Sequence, residues 1–168
     1  SLAVLSAAGE LEFAKSIPGT IIAGNSFLHY SEAGNLLFSG NIPTSISEAG
    51  FKSDGVVLML SSTGEKLAET AYNLGEFDQI THVGTTSAGI YFELYGFDKN
   101  DDTVTHGLLA RSDENLENWI SRSYIENAGP SAVFSTFFTD GSNPFLSYRD
   151  ENQDWIYVNE LDADLQEL

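Results

Sequence analysis

The chain has 168 residues, 42% of them hydrophobic, with 25 acidic against 7 basic side chains and a formal net charge of -18. That size and composition suit one globular domain with a sizeable core, not a disordered chain. The charge opposes binding to nucleic-acid phosphates or anionic lipid heads. The absence of cysteine excludes disulfides, zinc–thiolate sites and thiol catalysis, and no apolar run approaches the ~18 residues of a membrane helix.

In chain order, "SLAVLSAAGELEFAKS" comes first. Its small residues suit the tail of a signal peptide, but Val4 and Leu5 fit better as a strand of a hairpin that recurs. Each copy turns on a residue tolerant of positive φ: Gly9 in "SAAGE", Gly64 in "SSTGE" and Asn115 in "SDENL". Ser6, Ser61 and Ser112 stand three places earlier; Phe13, Ala68 and Trp119 stand four places later. A weaker fourth copy, "IYVNELDADLQEL", puts Asp164 at the anchor and Leu161 at the serine position. Apolar runs such as Val56 to Leu60, bounded by turn residues, read as short buried strands.

A second kind of hairpin lies between these, at residues 26–41, 78–97 and 131–150, turning at Gly34, Gly89 and Gly141. Gly34 and Gly89 are 55 residues apart, as are Gly9 and Gly64, so two markers share one period. The segment "SDENLENWISRSYIEN" carries helix-start signals, yet the repeat makes it turn plus strand. The expected order is a C–D hairpin followed by alternating A–B and C–D hairpins, about fourteen strands in all. The expected fold is all-β: a β-propeller-like array of four-stranded blades, with a half-blade at 1–17 and blades at approximately 20–74, 78–126 and 130–168. A two-sheet β-sandwich is the alternative.

Residues 54–97 resemble a bacterial β-propeller repeat of the SBBP, seven-bladed-propeller type. The matching pieces are Asp54-Gly55, "VVLMLSSTGEK", "LAETAYNLGEFDQITHVGTT" and "GIYFELYGF", and "NLENWISRSY" resembles the outer strand of such repeats. The chain departs from the pattern at Ala68, where an aromatic is usual. The resemblance implies a fold and no activity. About three and a half blades do not close a ring by themselves, so a second chain or a missing segment is expected to complete it.

Three features invite chemistry. In "DKNDDT", Asp98, Asn100 and Asp102 alternate as calcium-ligating oxygens do. However, Thr103 and Leu109 stand where an EF-hand needs Gly and Glu, and a solvated turn is the plainer account. Asp162 and Asp164 invite the same thought and read as a solvated acidic edge. Of the histidines, His29 and His82 fall on A strands at non-equivalent positions, with Phe134 matching His82 in the third copy; His106 is the remaining one. Alternation places Tyr91, Glu93 and Tyr95 on one face of a strand and Ile90, Phe92 and Leu94 on the other. Glu93 is either a general acid of raised pKa, which would need a second carboxylate for glycoside hydrolysis, or a carboxylate held by a hydroxyl.

No nucleophile-elbow, zinc-protease or phosphate-loop motif is present. The expected function is a non-catalytic binding or scaffold module of a secreted or cell-surface protein, periplasmic as a variant, taking a protein, peptide or glycan ligand. A carbohydrate-active enzyme using carboxylates and a calcium-stabilised structural domain are the alternatives. Nucleic-acid partners and membrane insertion are not expected, and calcium is the one cofactor considered.

Overall fold

A computed structural model describes residues 2–16, 22–47, 50–73, 77–98, 103–126, 136–139, 143–150 and 155–168. The protein is all-β, with no helix among the described residues. A hairpin of β1 (Leu2–Leu5) and β2 (Leu11–Lys15) comes first. Two four-stranded antiparallel meanders follow. The first is β3 (Ile22–Tyr30), β4 (Leu36–Ser47), β5 (Gly50–Leu60) and β6 (Lys66–Tyr72). The second is β7 (Phe77–Thr86), β8 (Gly89–Asp98), β9 (Thr103–Ser112) and β10 (Ile120–Glu126). A third sheet pairs β11 (Thr136–Thr139), β12 (Pro144–Asp150) and β13 (Trp155–Glu160). Where a fourteenth strand was expected, a lone bridge joins Leu161 to Glu167.

Among the described residues the meanders are joined by one parallel bridge, from Ser53 of the interior strand β5 to Phe77 of β7. Otherwise the sheets pack face on face in chain order. Leu36, Leu58 and Leu60 bury one face of the first meander against Val4 and Phe13 of the hairpin. Leu37, Val57 and Met59 bury its other face against Ile80, Ile90, Phe92, Leu94, Ala110 and Leu116. Tyr91 and Leu109, on the far face of the second meander, pack with Leu146, Leu161 and Leu165. This explains "VVLML": a strand buried on both faces has no polar side to alternate with, so its apolar residues run on continuously. Strand β3 runs beside β7, and β7 also approaches β11.

Among the described residues one turn occurs five times. At Ser6 the backbone N–H donates to the Glu10 carbonyl, the Gly9 N–H donates back to the Ser6 carbonyl, and the Ser6 hydroxyl accepts from the Glu10 N–H. The same backbone pair forms at Ser31, Ser61, Asp113 and Asp162, with each side-chain oxygen accepting from the N–H four residues on. The fourth residue takes positive φ: Gly9 at 83°, Gly34 at 80°, Gly64 at 81°, Leu116 at 60° and Leu165 at 61°.

Three expectations are corrected here. The anchors are Leu116 and Leu165, not Asn115 and Asp164, and Asp113 takes the serine's place instead of Ser112. The Gly34 hairpin is not of a separate kind but shares this turn, whereas Gly89 belongs to a shorter turn with φ of 142°. Gly141 lies outside the described residues. The shift has a physical cause: Asp113 Oδ1 accepts from both Asn115 N and Glu117 N, which sets the start of the turn. A leucine at positive φ costs on the order of 1 kcal/mol, but Leu116 and Leu165 are buried, worth roughly 1.5–3 kcal/mol each.

The residue four places past each anchor packs toward the anchor of the next sheet, and at the first two interfaces their sizes trade off. A Cβ on Gly64 would come 2.7 Å from the Phe13 ring. At the next interface Ala68 packs against the cluster that holds Leu116, and at the third Ile120 packs against the cluster that holds Leu165. Trp119 therefore does not match Phe13 and Ala68; Ile120 does. Trp119 donates its indole N–H to the Leu116 carbonyl at 2.8 Å and meets Tyr72 and Phe92 with ring centroids 4.9 and 5.0 Å away.

Candidate functional site

Among the described residues, strands β7 and β8 set a compact cluster of chemically capable side chains around Glu93. Alternation along β8 holds: Ile90, Phe92 and Leu94 face the first meander, while Tyr91, Glu93 and Tyr95 are buried on the opposite face. A bulge in β7 shifts its register between Ile80 and His82, which presents both Thr81 and His82 to Glu93. The Glu93 carboxylate, only 3% exposed, accepts from the Thr81 hydroxyl at 2.7 Å and from the Tyr95 hydroxyl at 3.1 Å. His82 Nδ1 lies 3.2 Å from Glu93 Oε2. The hydrogen bond to Glu93 raises the His82 pKa above its ordinary value, and burial partly opposes this.

Chemically, the cluster is a buried carboxylate orienting a half-exposed imidazole, with two hydroxyls completing its hydrogen bonds. Both carboxylate oxygens are engaged, as the hydroxyl-held reading expects. The His82 contact was not legible in the sequence, since alternation alone puts Thr81 opposite Glu93 and only the bulge brings in its neighbour.

His29 and His82 do not converge. In the shared register His29 pairs with Leu37 on β4, whereas His82 pairs with Glu93 on β8. His29 Nε2 instead lies 3.2 Å from Thr85 Oγ1 on β7, tying the two meanders together, and burial lowers its pKa. The side chain of His106 and all of Phe134 lie outside the described residues. So do Asn100 and Asp102 of the calcium reading; Asp98 ends β8, its backbone paired with Thr103. Asp162 has a structural task, with Oδ1 accepting from Asp164 N and Gln166 N at 2.8 and 2.9 Å.

A groove of about 760 Å³ opens between β6 and the β9–β10 turn. Met59, Leu67, Ala68 and Leu116 provide apolar lining, and Glu69, Glu114 and Glu117 provide charge. Glu69 is already paired with Lys66 at 2.7 Å. The groove lies where the small Ala68 stands at the position that Phe13 and Ile120 fill at the other two interfaces. Compared with family models, curated proteins and solved structures, the chain matches none.

Proposed function

We propose that this is a non-catalytic binding or scaffold module of a secreted or cell-surface protein, built as a propeller-like array of blades. The observation that carries the reading is the stacking of sheets face on face in chain order, with β7 neighbouring β3 on one side and β11 on the other as inner strands of successive blades would. β5 and β9 are paired on both sides, whereas β1 pairs with β2 alone among the described residues. The proposal gives that edge a strand from elsewhere in a longer chain or from a second polypeptide. The ligand proposed for the groove is a protein or peptide carrying lysine or arginine. Its cation would meet Glu114 and Glu117, its aliphatic stem would lie on Ala68 and Leu116, and the net charge of -18 favours such partners.

The engaged state of Glu93 argues against the carbohydrate-active alternative, because an acid catalyst must reach the substrate's leaving oxygen. The test pairs binding with turnover. A lysine–leucine peptide should bind, should weaken in high salt, and should weaken about tenfold in Glu114→Gln/Glu117→Gln. A panel of glycosides should stay intact. Hydrolysis that disappears in Glu93→Gln would sink the reading, and binding unchanged in the double variant would move the ligand away from the groove.

A further inference from the structure

We infer that two copies of this chain close head to tail, the outer face of the β11–β13 sheet of each docking on the outer face of the β1–β2 hairpin of the other. The inference rests on the array of blades proposed above and gives its two end faces one occupant. Both faces expose positions that the other sheets bury. Ser6 starts the turn after β1, and Ser61, Asp113 and Asp162 start those after β5, β9 and β13. The residues just before these turns are Leu5, Leu60, Ser112 and Leu161. Leu5 is 59% exposed, whereas the other three are at most 1% exposed. Val158 stands four places before its turn, as Val57 and Leu109 do before theirs. Val158 is 57% exposed, and these two counterparts are at most 1% exposed.

The two faces are the two halves of one contact. Val57 looks from the first meander toward the second and packs in the cluster that holds Ala110. Leu109 looks from the second meander toward the third sheet and packs in the cluster that holds Leu161. Ala110 is the counterpart of Ala3, three places before the turn, and Leu161 is the counterpart of Leu5. Alternation turns Leu5 away from Val4, which packs on the first meander. Among the described residues, Val158 thus looks forward with no sheet ahead of it, and Ala3 and Leu5 look back with no sheet behind them. A second copy supplies both.

The rest of each face agrees. Ala14 pairs with Ala3 and shares its face. On the third sheet Phe145 pairs with Glu160, as Leu37 pairs with Met59 and Tyr91 with Arg111. Leu37 and Tyr91 are buried against the sheet that follows, whereas Phe145 meets only a half-exposed Phe138, stacked with ring centroids 5.1 Å apart. Ala3, Leu5 and Ala14 on one side and Phe138, Phe145 and Val158 on the other carry no charge, in a chain of net charge -18. Exposed apolar patches of this kind mark association surfaces. Glu160 lies at the rim, its carboxylate accepting from Asn143 Nδ2 at 2.6 Å. A head-to-tail contact forms a ring only where the rotation closes. The hairpin, the two meanders and the third sheet give two copies about eight layers, the upper end of propeller rings, and a third copy would exceed it.

Sedimentation velocity of the 168-residue chain over a dilution series tests this. A dimer is expected, and high salt should tighten it by screening the net charge. Leu5→Lys and Val158→Asp should each weaken association at least tenfold. Both positions are exposed in the single chain, and melting temperature checks that the variants fold; Leu5→Ser and Val158→Ser serve where they do not. Mixing Leu5→Lys with Val158→Asp one to one should restore the dimer, because the pair then has one parental contact and one of lysine against aspartate. Leu28→Asp, at an exposed position on β3, should associate as the parent does. A parent that stays monomeric, or that assembles without limit, would overturn the inference. So would dissociation in high salt, association lost in only one of the two variants, or a mixture that stays apart. Peptide binding in the groove is read separately. A monomer that binds the peptide removes the second copy and keeps the binding module, and a dimer that does not bind it does the reverse.

Discussion

The hairpin β1–β2 and the first meander meet as the two meanders do, yet the contact is built with opposite sizes. At the first interface a large Phe13 sits over a Gly64 that has no side chain. At the second, a small Ala68 lies near a Leu116 that is buried at positive φ. The turn is the same in both, down to its side-chain cap. Between these two interfaces one residue of the facing pair grows as the other shrinks, whereas the third pair, Ile120 and Leu165, is large on both sides and a groove remains beside Ala68. Residue identity at either position is free to change when its partner compensates. The lack of an aromatic at Ala68 then ceases to be a defect of the repeat and becomes half of an exchange.

The strongest way to break this comparison is to force one interface into the other's pattern. Gly64→Leu should destabilise the protein by about 3 kcal/mol, from positive-φ strain plus collision with the Phe13 ring. Adding Phe13→Ala should recover on the order of 1–2 kcal/mol, so the two changes are less than additive. Denaturant unfolding of the four proteins of the cycle measures this, and strict additivity would refute the volume exchange.

A smaller effect separates the two caps. Ser61→Ala should cost about 1 kcal/mol through loss of the hydroxyl that accepts from Thr63 N and Glu65 N, and that cost should not vary with pH. Asp113 behaves otherwise. Hydrogen bonds from the Glu117 backbone N–H and the Asn118 side chain, then the Asn115 backbone, hold its carboxyl below the usual range. A depressed carboxylate pKa stabilises the fold above the unfolded value and ceases to do so as pH falls through the folded one. The melting-temperature advantage of the parent over Asp113→Ser should hold at pH 6 and shrink below about pH 4.

The smallest effect is spectroscopic. Histidine resonances followed by NMR should show His82 titrating above its ordinary value and His29 below it, because one faces Glu93 and the other is only desolvated. Stability linked to His82 is present at low pH and fades as pH rises through its raised pKa. Burial of neutral His29 acts oppositely, costing stability as pH falls below the unfolded value. Glu93→Gln should lower the His82 titration and leave His29 in place; movement of both would mean that the two sites are coupled.

Much of the strand order was legible because central strands such as β5 and β8 are covered on both faces, so apolar runs and glycine turns mark them. Val4 and Leu5 fell on β1, and the helix-like "SDENLENWISRSYIEN" became turn and strand. The turn register was misread by one residue because asparagine is a common left-handed residue, whereas the Asp113 cap and the burial of Leu116 decide the geometry. The Glu93 cluster was half legible: alternation gave its face and its tyrosine, but a bulge in β7 brings in His82, and bulges leave no reliable mark in one sequence. The burial of Ser39, Asn41 and Ser53 carried no signal, since small polar residues on strands look like solvent-facing positions until a second sheet covers them.

The face-on-face order of the sheets also sets how disturbance spreads. Among the described residues each hydrophobic cluster joins sheets that are consecutive in the chain. Cohesion is therefore a succession of nearest-neighbour couplings, formally a one-dimensional lattice. A lesion at Phe13 reaches β11–β13 only through two intervening contacts. Each meander closes over short stretches of chain, so its pairing entropy is modest. The structure behaves as a row of sheets that can loosen at one end while the other holds.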